Sequence, residues 1–227
     1  MSRINFFLRT IFKLLFISLL IIPDCSSAQS RKKDEWRVRK NEKGIVVYSR
    51  HVEGTDVDEL RIVSMMHGSL SSIAAVIMDA NHYSEWIYAC NESRILKQVS
   101  ATEQYQYQIV DFPSPFTDRD VVIHFSIRQD AQTKIVYTKS EAAPQFISSV
   151  DKLVRIPQFI ASYQLIPKGN GNVQILYSMR SNPGGYIPDW LVNLTIVTGP
   201  YQTTVNMQKQ VAKKEYSQLK LPFIQEP

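Results

Sequence analysis

An α+β fold is what the sequence predicts: a curved antiparallel sheet wrapped around one long C-terminal helix, with a short helical insert after the first strands. Three observations carry this reading. Alternating apolar and polar runs, the period of strands with one buried face, fill the middle of the chain. A helical period breaks in once, over residues 71–80, and returns over residues 188–212. Turn signals separate the runs, and no tract resembles an inter-domain linker, so a single domain is expected.

The chain opens with Arg3, Arg9 and Lys13 ahead of an apolar run at 14–22, followed by Pro23 and the small residues Ser26, Ser27 and Ala28. That is a signal-peptide pattern, and the run is shorter than the roughly 20 residues that span a bilayer. Residues 1–28 are therefore expected to be cleaved after Ala28, giving an exported protein, periplasmic or secreted. The alternatives are an uncleaved N-terminal membrane anchor and lipidation of Cys25, for which Pro23 and Asp24 are a poor context. Cleavage removes three basic side chains and Asp24 and lowers the formal net charge from +5 to +3. Arg31, Lys32 and Lys33 lie in a basic tail, 29–35, suited to solvent or to transient contact with an anionic membrane surface. No basic run is interleaved with stacking aromatics, so nucleic acid is not an expected partner. Beyond residue 28 the only cysteine is Cys90, which excludes an internal disulfide, leaves stability to the core and reads as a buried free thiol; a monomer is expected.

Residues 44–50 and 59–65 read as paired strands joined by turn residues at 53–56. Over 71–80, Ile73, Ala74, Ile77 and Met78 share a helix face, with Ser71 or Ser72 as N-cap, and a short turn follows at 82–86. Strands are expected at 92–99, 104–111, 119–129 and 134–141, then at 153–167 and 173–181 across the turn at 169–172. The clearest is 119–129, with Val121, Ile123, Phe125 and Ile127 on one face. The terminal helix repeats Trp190, Leu194, Val197, Tyr201, Val205 and Ala212 at about 3.6 residues. Gly199 and Pro200 predict a kink inside it, because proline removes a donor and crowds the preceding turn.

Three motifs in this order carry a family resemblance. Residues 111–121, Asp-Phe-Pro-Ser-Pro-Phe-Thr-Asp-Arg-Asp-Val, combine a proline-containing loop with an Arg-Asp pair that opens the next strand. Residues 79–86 run from an aspartate to a tryptophan after the first helix, and 186–193 enter the terminal helix. Together they resemble the START lipid-transfer family of the Bet v 1-like, helix-grip superfamily, over roughly residues 36–216, with 217–227 left as a tail. The resemblance implies non-catalytic binding of a lipid or other hydrophobic ligand in an internal cavity, without cofactor. Several vertebrate members keep a buried acid–base pair for a sterol hydroxyl. Here the sixth position after Arg119 is Phe125, which leaves the ligand class at "lipid". The nearest polar alternatives are His124, Arg128, Tyr105 and Tyr107.

The expected cavity and lid residues are Trp86, Tyr105, Tyr107, Val121, Ile123, Phe125, Tyr137, Tyr177, Met179, Trp190, Leu194 and Tyr201. The same residue types also build solid cores. Pro113 and Pro115 belong to the expected gating loop, and Arg119 and Asp120 are expected to pair with each other or tie loop to strand. A cavity enzyme, with His124 as base beside Asp111 or Glu103, is the alternative function, and an interaction module with a filled interior is a third. His51, His67, His82 and His124 show no metal-ligand spacing, and there is no Gly-x-Ser-x-Gly elbow or phosphate-binding loop.

Overall fold

The computed structural model describes residues 35–52, 58–185, 187–188, 191 and 197–227. The expected signal peptide, nearly all of the basic tail, the turn at 53–56, and both Trp190 and Leu194 lie outside the described residues.

Ten strands form one sheet in the order β1-β2-β3-β10-β9-β7-β6-β5-β4. They are β1 (Arg37–Glu42), β2 (Ile45–His51), β3 (Asp58–His67), β4 (Cys90–Ser100) and β5 (Glu103–Val110). After these come β6 (Arg119–Gln129), β7 (Val136–Ala142), β8 (Val154–Arg155), β9 (Gln158–Gly169) and β10 (Asn172–Asn182). Every pairing is antiparallel except the short parallel contact of β8 with β6. The sequence reads 153–167 as one strand. The chain instead breaks at Ile156 and Pro157, where the missing proline N–H cannot feed a ladder, and leaves β8 and β9 on different neighbours.

Helix α1 (Leu70–Met78) and a 3₁₀ turn (Ala80–Glu85) carry the chain from β3 in mid-sheet to β4 at the edge. The N-cap is Ser69, one turn position ahead of the expected serines, and its hydroxyl accepts from the Ser72 N–H at 3.0 Å. Gly68 is required at this corner. A Cβ there, at φ +154°, would meet Val211 Cγ1 at 2.9 Å, so only glycine lets β3 turn under the terminal helix.

That helix is α2 (Gly199–Val211), followed by the single-turn α3 (Lys214–Ser217). Pro200 sits in its first turn, and Val197 and Thr198 ahead of it are in a π-helical conformation. The helix expected ahead of the kink at Gly199 and Pro200 falls at 192–196 outside the described residues. Residues 217–227, read from sequence as a tail, are tied into the domain. Ile224 is buried, and the Glu226 carboxylate accepts the N–H groups of Leu70 and Ser71 at 2.9 Å each, capping α1 with a negative charge. Gln225 and Gln129 exchange two further hydrogen bonds at 2.8 Å.

Candidate functional site

Strand alternation decides which residues face inward. On β6 these are Val121, Ile123 and Phe125, and the neighbours follow in register: on β5, Gln106 stands opposite Ile123 and Gln108 opposite Val121. Across β9 and β10, Tyr163 pairs with Tyr177 and Ala161 with Met179. With Ser140 of β7, Tyr83 and Trp86 around the 3₁₀ turn, and Pro200 and Thr204 of α2, they enclose a cavity of about 590 Å³. Small-molecule pockets span roughly 300–1,000 Å³, so this interior is not filled by its own side chains and the filled-module reading loses its basis. Tyr88, Asp111 and Pro113 form an exposed rim, with Tyr88 40% accessible.

Of the expected cavity residues, Trp86, Val121, Ile123, Phe125, Tyr177 and Met179 lie on this wall, and Pro113 is on the rim. Four do not. Tyr105 and Tyr107 alternate with the inward glutamines and so face the other side of the sheet. There Tyr105 stacks on Phe146 at 3.8 Å, and Arg94 lies 4.3 Å over the Tyr107 ring. Tyr137 is likewise outside, beneath Arg128 at 4.4 Å. Tyr201 packs into a separate cluster with Ile45, Val47, Leu60 and Ile62 of β2 and β3. Pro115 is exposed beyond the wall.

Arg119 and Asp120 do not pair with each other, because adjacent strand residues point to opposite faces. Asp120 is fully buried and bound by Arg155, whose Nε and Nη2 reach its two oxygens at 2.9 and 2.8 Å. Arg155 also donates to the Pro144, Ile147 and Ser148 carbonyls, so this pair fastens the loop between β7 and β8 to the sheet. Its hydrogen bonds to Asp120 raise the pKa of Arg155. Arg119, on the cavity face, lies 4.2 Å under the Phe112 ring and donates to the carbonyls of Thr117 and Gly184. It ties loop to strand without a carboxylate, and its burial lowers its pKa.

His124 does hydrogen-bond Glu103, at 2.6 Å, but the pair stands on the outer face, with the ring stacked on Tyr105 at 4.8 Å. The base proposed for a cavity enzyme therefore does not reach the cavity. Cys90 is buried, and that burial pushes its thiol up to about 11.

Residues that sequence reasoning missed are Gln104, Gln106 and Gln108, all buried. Gln104 donates to the Met78 carbonyl at the end of α1 at 2.6 Å. Gln106 and Gln108 face the cavity. The signal was the run Gln-Tyr-Gln-Tyr-Gln at 104–108, whose two-residue period allows either the tyrosines or the glutamines to point inward.

The closing helix is held by side chains. Thr203 accepts from the Tyr88 N–H at 3.0 Å, Asn206 donates to the Trp86 carbonyl at 3.2 Å, and Lys213 pairs with Glu85 at 2.6 Å. The first two join α2 to the segment that holds Trp86 and Tyr88, and the third ties Lys213, beyond α2, to the 3₁₀ turn.

A sheet gripping a helix over a mainly apolar cavity defines the class of helix-grip proteins. The START domain model matches residues 25–214, so the chain belongs to the START family. It is 32% identical over 181 residues to a Pseudomonas aeruginosa protein, covering 80% of this chain and 89% of that one. With the mouse phosphatidylcholine transfer protein it shares 25% identity over 170 residues, 73% of this chain and 78% of that one. Its fold superposes on a STAR-related lipid transfer protein from Xanthomonas axonopodis with a TM-score of 0.73 at 32% identity, covering 79% of this chain and all of that chain.

Proposed function

We propose that this protein binds a lipid or other hydrophobic molecule in its cavity and transfers or senses it, without catalysing a reaction. The observation that carries the reading is the 590 Å³ space with a mainly apolar wall in a chain of START family membership. Two relatives whose names describe lipid transfer support it. Partition of apolar surface into such a space is favourable by about 25 cal/mol per Å².

Entry is at the rim, where the loop containing Pro113 meets Tyr88 and the first turn of α2. Loosening the contacts of Thr203 and Asn206 opens this end while the ligand passes from a transiently touched membrane. The N-terminal pattern supports an exported protein working in the periplasm or outside the cell. The test is transfer of a fluorescent lipid between donor and acceptor vesicles by the purified chain. Transfer well above the protein-free rate is expected, whereas a rate equal to it, with no lipid retained by the protein, contradicts the proposal.

A further inference from the structure

Along the inward face of β6 a charged residue, Arg119, stands at the rim end, and the apolar Val121, Ile123 and Phe125 follow it into the cavity. Arg119 opens the strand opposite Val110, and from there Asp111, Phe112 and Pro113 continue as wall and rim. A cation at the mouth with apolar wall behind it is the layout that suits an amphiphile lodged with its polar end outermost.

Arg119 is 3% exposed, and among the described residues no carboxylate forms an ion pair with it. Of its five N–H groups, two are taken by the carbonyls of Thr117 and Gly184, the latter at 3.3 Å, and its Nε has no partner. The carboxylates around the rim are engaged or open to solvent: Asp118 accepts the Phe112 N–H at 2.8 Å, Asp58 faces His51 at 3.4 Å, and Asp111 is exposed. Burial lowers the pKa of Arg119 and the field of Asp118 offsets this only in part, yet a guanidinium stays charged at any working pH. The fold thus keeps a buried cation without a counter-ion at the mouth of its cavity, an arrangement that disfavours the closed, ligand-free protein.

Arg155, on the opposite face of the sheet, shows what the same edge of a guanidinium does when it is met. Its Nε and Nη2 grip the two oxygens of Asp120 at 2.9 and 2.8 Å. In Arg119 the Nε is unmet and Nη2 holds only the long bond to Gly184. That edge fits a carboxylate or a phosphate, whose oxygens accept two parallel N–H groups. Its cover is a single ring: Phe112 is partly exposed, lines the cavity and lies 4.2 Å over the guanidinium. Phe112 is tied to Asp118 through its backbone N–H, so the ring can turn aside without breaking that bond.

We infer that Arg119 is the site for one ionised oxygen group, a phosphate or a carboxylate, at the polar end of the bound molecule, reached when the Phe112 ring turns away. The inference rests on the lipid-binding reading and deepens it by assigning the residue that holds the polar end and the charge that end carries.

The test titrates the purified full chain with oleyl phosphate, oleate and oleyl alcohol, which share one hydrocarbon chain, each below its aggregation concentration, by displacement of N-phenyl-1-naphthylamine. The better of the two ionised probes is expected to bind at least about tenfold tighter than oleyl alcohol, and which one it is names the group. Arg119→Gln should shrink that preference to within about twofold while leaving the affinity for oleyl alcohol nearly unchanged, a pattern that a merely structural role does not produce. Because Arg119 also ties loop to strand, a second measurement uses the parent protein: the Arg119 Nε–H NMR signal should shift with the preferred ionised probe and not with oleyl alcohol or with inorganic phosphate alone. Equal affinity for all three chains, a preference that survives Arg119→Gln, or an unmoved Nε–H signal overturns the inference. An equal shift with inorganic phosphate does so too, since it makes Arg119 a site for a free anion. Binding of none of the three chains overturns the lipid-binding proposal itself, an outcome distinct from binding without preference.

Discussion

The two faces of β5 divide the labour of this domain, and the division runs against the usual expectation that aromatic rings go inside. Its outward tyrosines are covered pairwise, Tyr105 by Phe146 and Tyr107 by Arg94, while its inward positions are glutamines. One strand away, on β6, the outward Asp120 is fully matched by Arg155, whereas inward Val121, Ile123 and Phe125 are bare wall. On these two strands the outward Asp120 is paired, while the inward Gln106 keeps an unmet donor. An unmet buried donor costs about 1–3 kcal/mol, and at a cavity wall a bound molecule can supply the missing acceptor. The account places stability in pairings such as that of Asp120 with Arg155, and ligand contact on the inner face.

This contrast breaks most sharply at Asp120. Arg155→Met strands a fully buried carboxylate and frees the loop between β7 and β8, so a loss of about 3–5 kcal/mol is expected in denaturant titration. A loss under about 1 kcal/mol would mean that the outer face is not where stability is held. Next is the C-terminal cap, where Glu226→Ala should cost about 1 kcal/mol because two N–H groups of α1 lose their acceptor; chemical denaturation of the full chain measures it. The inner face should respond oppositely. Gln106→Leu, measured without ligand, is expected to leave stability unchanged or raise it by up to about 1 kcal/mol, since it removes an unmet donor.

The smallest effect concerns pH. His82 hydrogen-bonds Asp79 at 2.8 Å, which raises its pKa above the ordinary 6.5. The protonated ring is therefore favoured by folding: its contribution is complete below about pH 6.5 and fades as pH rises through the raised value. Because the side chain is half exposed, the contribution should be a fraction of a kcal/mol. His82→Gln should flatten the stability profile in that window, and an unchanged profile would remove His82 from the account.

Much of the fold was legible because its cues are local. Alternation in residues 119–129 reproduces β6 residue for residue, and the turn at 169–172 joins β9 to β10 as read. The helical insert was found within two residues, although Ser69 rather than Ser71 or Ser72 caps it. What could not be read depends on partners distant in sequence. Asp120 is satisfied by Arg155 and not by its neighbour, and Glu226 caps a helix more than 150 residues earlier. The site shows the same limit. Val121, Ile123 and Phe125 were placed by their own strand's period. Tyr105 and Tyr107 were assigned inward because aromatic rings suit a pocket, but the facing of β5 is set by its pairing with β6, which puts Gln106 opposite Ile123.

The most direct measurement is native mass spectrometry of the full chain purified from cells under gentle conditions. The account predicts one additional mass per chain, corresponding to a single lipid and released by collisional activation. An empty chain throughout, which also takes up no lipid from vesicles, would contradict it.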